Sequence, residues 1–282
     1  MQLINHRWLD PLNKNFKYAE SSKEAFENLL ERWYWLEFDI NFSKDLVPFV
    51  FHDNWLGRIS NWKDNRLFMN MDRNDIEEYE LPNNCHFTTL ENLFQLIGEK
   101  QKEWIISSLH LKSQYQEMKL LDVLIKLIQN HPKIIEKLFI FDIKIDTAKY
   151  LKDINPNIKL FFSVSHEYDK QRFNDSVWWT LYTIEEVLEN KNLIDWVRLD
   201  EWDRKDRGGT KKLYTSEIIN RFKNLWLKVA IISPELHAKS PWLLWQEFHE
   251  DVKNYENLRQ RIEEIKLLWI DFICTDYLNY YW

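Results

Sequence analysis

Two carboxylates, Glu37 and Asp39, stand two residues apart in the run Trp35-Leu-Glu-Phe-Asp-Ile40. Side chains alternate along an extended strand, so both carboxylates face one side while Leu36, Phe38 and Ile40 face the other. Two carboxylates on one face repel unless positive charge lies between them. A divalent cation with oxygen ligands supplies it, or else each acid pairs with a neighbouring Arg or Lys. His6 and His52 end strand-like segments, and imidazoles of ordinary pKa near ~6.5 can act as acid and base on either side of a scissile bond. Arg7 offers a bidentate fork and Lys112 a point charge, both suited to a phosphate. A cation, a fork, a point charge and two imidazoles favour phosphoryl transfer over sugar chemistry. His86, His131 and His249 lie away from strand ends and read as structural.

Residues so far apart in the chain need a scaffold that gathers strand ends. Eight apolar bursts supply one: Leu3–His6, Trp35–Ile40 with a strand-like continuation Val47–His52, Trp104–Lys112, Leu138–Ile143, Ile158–Ser165, Trp196–Leu199, Val229–Ser233 and Leu267–Cys274, taken as β1 to β8. Helical spacing recurs between them, as in Ser22–Arg32, Thr89–Gly98, Leu120–Asn130, Ile184–Asn190, Thr215–Leu225 and Trp242–Lys253. Ser21 or Ser22 can cap the first of these helices and Thr88 or Thr89 the second. Eight strand-like bursts with helical segments between them predict an α/β fold of the TIM type, a (β/α)8 barrel with parallel strands and outer helices. In such a barrel the C-terminal strand ends form one face, which carries the active site. Here those ends supply His6 and Arg7 (β1), Glu37 and Asp39 (β2), His110 and Lys112 (β3), Asp142 (β4), Ser165, His166 and Glu167 (β5), Asp200 and Glu201 (β6), Glu235 and His237 (β7) and Asp276 (β8).

The 282 residues suit a single (β/α)8 domain over 1–282, since such a barrel takes ~250. The one long irregular stretch, about 54–85, reads as an insertion on the catalytic face able to act as a lid. Fifteen Trp and 45% hydrophobic residues provide a large core. A formal charge of −7 argues against nucleic acid as a partner. Two distant cysteines, Cys85 and Cys274, set up neither a disulfide framework nor a zinc knuckle. With no apolar run long enough for a membrane span and no secretory leader pattern, the expectation is a cytoplasmic protein without an integral membrane segment. The sequence sets no oligomeric state.

The order of these motifs resembles the glycerophosphodiester phosphodiesterase family along almost the whole chain. His6-Arg7 resembles the family's opening His-Arg-Gly, and Ala19-Glu20-Ser21-Ser22 its Glu-Asn-Thr turn. Glu37-Phe-Asp39 resembles its Glu-x-Asp metal pair. Val47-Pro-Phe-Val-Phe-His52-Asp53, followed by Leu56 and Arg58, resembles its Pro-x-x-x-His-Asp segment. Thr89-Leu-Glu91 resembles a helix entry, Lys112 the lysine of its Glu-x-Lys strand, and Thr275-Asp276-Tyr277 its closing Thr-Asp-Tyr. Phe141-Asp142-Ile, Ser163 to Tyr168, Leu199 to Trp202 and Ser233 to His237 look like a bacterial, poorly characterised branch of that family. The resemblance implies a metal-assisted phosphodiester hydrolase acting on a glycerophosphodiester or similar small phosphodiester. Glu37 and Asp39 would hold the cation, Arg7 and Lys112 bind the phosphate, and His6 and His52 divide the acid and base roles.

Two departures stand out. Trp8 replaces the glycine after His-Arg, and His110 replaces the family's third metal ligand, a glutamate. Family membership implies Mg²⁺ or Ca²⁺, whereas an imidazole suits Mn²⁺ or another softer ion. Three outcomes follow: His110 ligates a softer metal, Asp200 or Glu201 supplies the third carboxylate, or the metal site is degraded. The second is favoured, because the β6 acids are extra to the family's pattern. Glu201, Trp202, Glu235 and His237 form the candidate substrate-selecting set. Trp8, Trp55, Trp62, Trp178, Trp179 and Trp202 are candidate platforms for a glycerol or sugar group. Rival readings are a barrel glycosidase using Glu201 and Glu235, and a catalytically impaired barrel that only binds a phosphodiester.

Overall fold

A computed structural model of the chain describes residues 1–7, 15–177, 179–201, 212–237, 252 and 254–278. Trp8, Trp178, Trp202, His249, the side chain of His237 and most of the helix expected over Trp242–Lys253 lie outside the described residues. The fold is the closed parallel (β/α)8 barrel expected from the alternation. Its strands are β1 (Gln2–Asn5), β2 (Trp35–Phe42), β3 (Ser107–His110), β4 (Leu138–Phe141), β5 (Lys159–Val164), β6 (Trp196–Leu199), β7 (Lys228–Ile232) and β8 (Phe272–Thr275). The chain divides into two compact units, one of Asn5–Phe139 and one of Met1–Ile4 with Ile140–Trp282.

In the Asn5–Phe139 unit, β2 is buried at all eight positions. Its alternation therefore separates a polar inward row (Glu37, Asp39, Asn41) from an apolar outward row (Leu36, Phe38, Ile40) that meets the helices. β3 runs parallel to β2 with Glu37 opposite Ser108 and Asp39 opposite His110. After β2 the chain turns at Ser43 and returns antiparallel as Pro48–Val50, with Ile40 opposite Val50. The strand-like continuation Val47–His52 is thus the second arm of a hairpin. Ser22 and Thr89 prove to be the caps of their helices, accepting from the Ala25 and Asn92 amides.

The stretch at 54–85 has structure of its own: a turn of 3-10 helix at Phe68–Asn70, a five-residue helix Arg73–Glu77 and a hairpin of Glu80–Leu81 with Cys85–His86. Its Leu56, Phe68, Met71, Ile76, Leu81 and Cys85 pack with Phe49, Phe51 and Phe87 into a separate apolar cluster. Phe51 and Phe68 stack at 5.2 Å between centroids, and Phe87 meets Phe68 edge-on at 5.5 Å.

In the other unit the sheet runs in the order β1, β8, β7, β6, β5, β4. Aromatic rings fill it: Phe141 stacks on Phe161, Phe161 on Trp196, and Trp196 on Phe272 with 3.9 Å between centroids. The strand expected over Leu267–Cys274 begins only at Phe272. Leu267 ends the helix Tyr255–Lys266 and is exposed, because a short apolar run does not distinguish a helix end from a strand.

Candidate active site

Register explains the centre of the site. Asp39 and His110 are ladder partners on neighbouring parallel strands, so their side chains leave the sheet on one side. His110 Nδ1 lies 2.8 Å from Asp39 Oδ1. Glu37, one pleat earlier on the same face, completes a buried group whose ligand atoms all lie within 4.8 Å of one another. Among the described residues this is the group of acids and imidazoles able to share a cation. It contains His110 and neither β6 acid. One imidazole and two carboxylates suit a cation that accepts nitrogen as well as oxygen.

The hairpin delivers the second histidine. The Phe51 amide donates to the Asp39 carbonyl at 3.1 Å, which sets His52 just beyond the end of the pairing. His52 Nδ1 is 2.6 Å from Asp53 Oδ1 and its Nε2 is 2.6 Å from Arg7 Nη2. A guanidinium can only donate and a carboxylate only accept, so these partners assign a neutral ring with its proton on Nδ1. Arg58 then donates from Nε to Asp53 Oδ2 at 2.7 Å and as a fork to both oxygens of Glu20 at 2.7 and 2.8 Å. Glu20 in turn lies 3.9 Å from Arg7 Nη1. Arg7, His52, Asp53, Arg58 and Glu20 thus form a ring of hydrogen bonds, with His52 both accepting and donating, that the Arg7–Glu20 ion pair closes. Arg7 adopts φ 49°, unusual outside glycine, and its amide donates to Glu37 Oε2 at 3.3 Å.

The charges are strongly biased. Burial, and then Asp39, push the Glu37 carboxyl up. Burial would also raise Asp39, but Lys112, His52 and His110 hold it well below the usual carboxylate range. Burial first, then the cations Arg7 and Lys112, push His52 down to about 4. Glu20 and Asp53 stay low despite burial, Glu20 through the hydrogen bond from Arg58 and Asp53 through that from His52. Lys112 donates to the His52 carbonyl and lies 3.5 Å from Asp39 Oδ1. His6 directly follows β1, and its positive form acts to lower Glu37.

The remaining acids named from the sequence belong to the other unit. Glu201 Oε1 meets Arg261 at 2.8 Å, and Oε2 accepts from the amides of Leu213 at 2.7 Å and Tyr214 at 3.1 Å. Both oxygens are therefore used in holding the chain, which leaves Glu201 unsuited to the metal-ligand and glycosidase roles considered for it. Asp200 is buried and lies 3.7 Å from Arg198. Glu235 accepts from the hydroxyls of Ser233 and Thr275, and burial pushes its carboxyl up to about 7. The sequence reading gave Glu20, Asp53 and Arg58 no role. Their only signal was their place in the family-like motifs.

The sequence model of the "Glycerophosphoryl diester phosphodiesterase family" matches residues 14–199. None of the curated proteins matches by sequence. Among solved structures, one from Galdieria sulphuraria, proposed to be a glycerophosphodiester phosphodiesterase, is 18% identical with TM-score 0.67, covering 98% of this chain and 94% of that one. A glycerophosphoryl diester phosphodiesterase from Parabacteroides distasonis is 19% identical with TM-score 0.64, covering 98% and 82%. A phosphodiesterase from Oleispira antarctica, solved with its product sn-glycerol-3-phosphate, is 14% identical with TM-score 0.61, covering 98% and 93%. At these identities the likeness is one of fold.

Proposed function

This chain belongs to the glycerophosphoryl diester phosphodiesterase family and is a phosphoric diester hydrolase, and from that premise we propose that it cleaves a glycerophosphodiester or a similarly small phosphodiester. The observation that carries the reading is the buried Glu37, Asp39 and His110 group standing beside a neutral His52 held between Arg7 and Asp53. Glu37, Asp39 and His110 are the residues that would hold a divalent cation. Bound there, it would polarise the phosphoryl group and offset its charge. His110 in place of a carboxylate favours Mn²⁺ or a similar ion over Mg²⁺ or Ca²⁺.

The protein's own groups then divide the work. Arg7, about a quarter exposed, can turn from His52 Nε2 to a phosphate oxygen and bind it as a fork. That movement uncovers the Nε2 lone pair of a ring already neutral at pH 7, so His52 is the base that takes the proton from the attacking hydroxyl. Asp53 keeps the other ring proton on Nδ1 throughout. His6, at the end of β1, is the acid that protonates the leaving alcohol. Lys112 adds positive charge beside Asp39 and fixes the His52 backbone.

The test is product analysis with glycerophosphodiesters and bis(p-nitrophenyl) phosphate. The parent should release the alcohol and a phosphomonoester, and His52→Ala should release neither. Cleavage of aryl glycosides with phosphodiesters untouched would contradict the proposal.

A further inference from the structure

Among the described residues four tryptophans, Trp33, Trp62, Trp226 and Trp269, occupy backbone positions that glycine fits best, and Trp226 and Trp269 are by far the most exposed of them. The helix Ser216–Lys223 leads to β7 through Asn224, Leu225 and Trp226, and the helix Tyr255–Lys266 leads to β8 through Leu267, Leu268 and Trp269. Trp226 has φ 65° and Trp269 φ 54°, left-handed conformations disfavoured for a large side chain. At Trp226 the turn is closed by backbone alone, the Leu227 amide donating to the Phe222 carbonyl at 3.3 Å. Burial does not offset the cost of either backbone, for Trp226 is 94% and Trp269 86% exposed.

Both rings belong to one face. β7 and β8 are adjacent and parallel with Ala230 opposite Phe272, so the turns before them lie side by side at the N-terminal strand ends. Lys223 links the turns: its carbonyl accepts from the Trp226 amide, and its Nζ donates to the Trp269 carbonyl. An open depression of about 660 Å³ includes Lys223, Lys228, Lys266, Leu267 and Trp269 in its lining. A neighbouring one shares Lys228 and adds Trp226 and Lys191. Across the two linings four lysines face two aspartates, Asp195 and Asp271, leaving two positive charges on a chain whose total is −7. Asp195 is also paired with Lys152 at 3.0 Å.

Indole rings beside lysines, raised on turns and free of the core, match the chemistry of a lipid headgroup layer. There rings settle at the boundary with the acyl chains and ammonium groups meet phosphates. We propose that this face docks the protein on the surface of an anionic phospholipid bilayer. A second copy of the same face would meet it with like charge, which disfavours self-association through it. The opposite ends of the same strands carry Asp200 and Glu235, so docking leaves those ends open to water.

The experiment is flotation of the full chain with vesicles of phosphatidylcholine containing phosphatidylglycerol, against phosphatidylcholine alone. The parent should float with the anionic vesicles and be released by salt. A Trp226→Gly, Trp269→Gly double variant should bind at least about tenfold more weakly, because two exposed rings no longer leave water. Its Tm should not fall, since glycine suits both φ angles, and its hydrolysis of a soluble phosphodiester should match the parent's. No flotation of the parent, equal binding to neutral vesicles, or equal binding by the double variant would each overturn the proposal. So would a parent dimer that the double variant converts to monomer, which would assign the face to a second copy.

Discussion

Replacing Asp53 by asparagine tests how the ring around His52 works. Asp53 accepts at both oxygens, from His52 Nδ1 at 2.6 Å and from Arg58 Nε at 2.7 Å. An amide has one acceptor, so Asp53→Asn keeps one of these bonds and turns an NH₂ toward the other donor. If the NH₂ faces His52, the ring must accept at Nδ1 and carry its proton on Nε2, against Arg7 Nη2 at 2.6 Å. The opposite orientation would keep the tautomer but set the NH₂ against the cationic guanidinium, the costlier loss, so the amide oxygen stays on Arg58 and the first arrangement is the one expected. Either way one charge-assisted bond is lost at a site where Asp53 is only 11% exposed, a cost of about 1.5–3 kcal/mol. In a chain of this size that lowers Tm by roughly 3–5 °C. The catalytic loss should be larger than the stability loss suggests, because a mis-set tautomer removes the base: about 10²- to 10⁴-fold in kcat. KM should change little, since Asp53 binds no part of the substrate in this account. The assay is steady-state hydrolysis of bis(p-nitrophenyl) phosphate beside a thermal melt. A variant with the lowered Tm and kcat within twofold of the parent would refute the reasoning, leaving Asp53 a purely structural residue.

Other outcomes follow from the same geometry. Arg58→Leu removes the fork that holds the buried Glu20, which should cost about 2 kcal/mol in urea unfolding, discounted for Arg58 being nearly half exposed. His110→Glu restores three carboxylates and should move the metal preference in activity assays from Mn²⁺ toward Mg²⁺ or Ca²⁺; an unchanged preference removes His110 from the cation site. Glu235 has its pKa raised by burial from 4.5 to about 7, so its contribution to stability is full below pH 4.5 and is lost as pH rises through 7. Glu235→Gln, which cannot ionise, should therefore gain on the parent by up to about 3 kcal/mol between pH 4.5 and 8. Parallel unfolding curves at all pH values would contradict that.

Local information in the sequence was enough to set the carboxylate pair on one face of its strand. Alternation in Trp35-Leu-Glu-Phe-Asp-Ile put Glu37 and Asp39 on one face, and β2 bears this out residue by residue. The motif order singled out His6, Arg7, His52 and Lys112 as candidates. The pairing that makes His110 the ladder neighbour of Asp39, 71 residues away, is a register fact that no window of sequence contains. The same holds for Arg58 and Glu20, 38 residues apart: their charges are visible in the sequence, but their partners are set by the return of the hairpin. Glu201 misled for the converse reason. A carboxylate at a strand end resembles a ligand until Arg261 and two amides are seen to use both of its oxygens. The stretch at 54–85 looked irregular because its apolar residues are too widely spaced for one periodic element, yet they meet in a cluster with the hairpin.

The central claim is that Glu37, Asp39 and His110 hold a cation on which phosphodiester hydrolysis depends. It is tested most directly by stripping the protein with a chelator, then following bis(p-nitrophenyl) phosphate hydrolysis as Mn²⁺, Zn²⁺, Mg²⁺ or Ca²⁺ is returned, beside a Glu37→Gln, Asp39→Asn variant. The account predicts activity lost on chelation, recovered best with Mn²⁺, and absent from the variant with every ion. Undiminished hydrolysis in excess chelator, or full recovery by the variant, would contradict it.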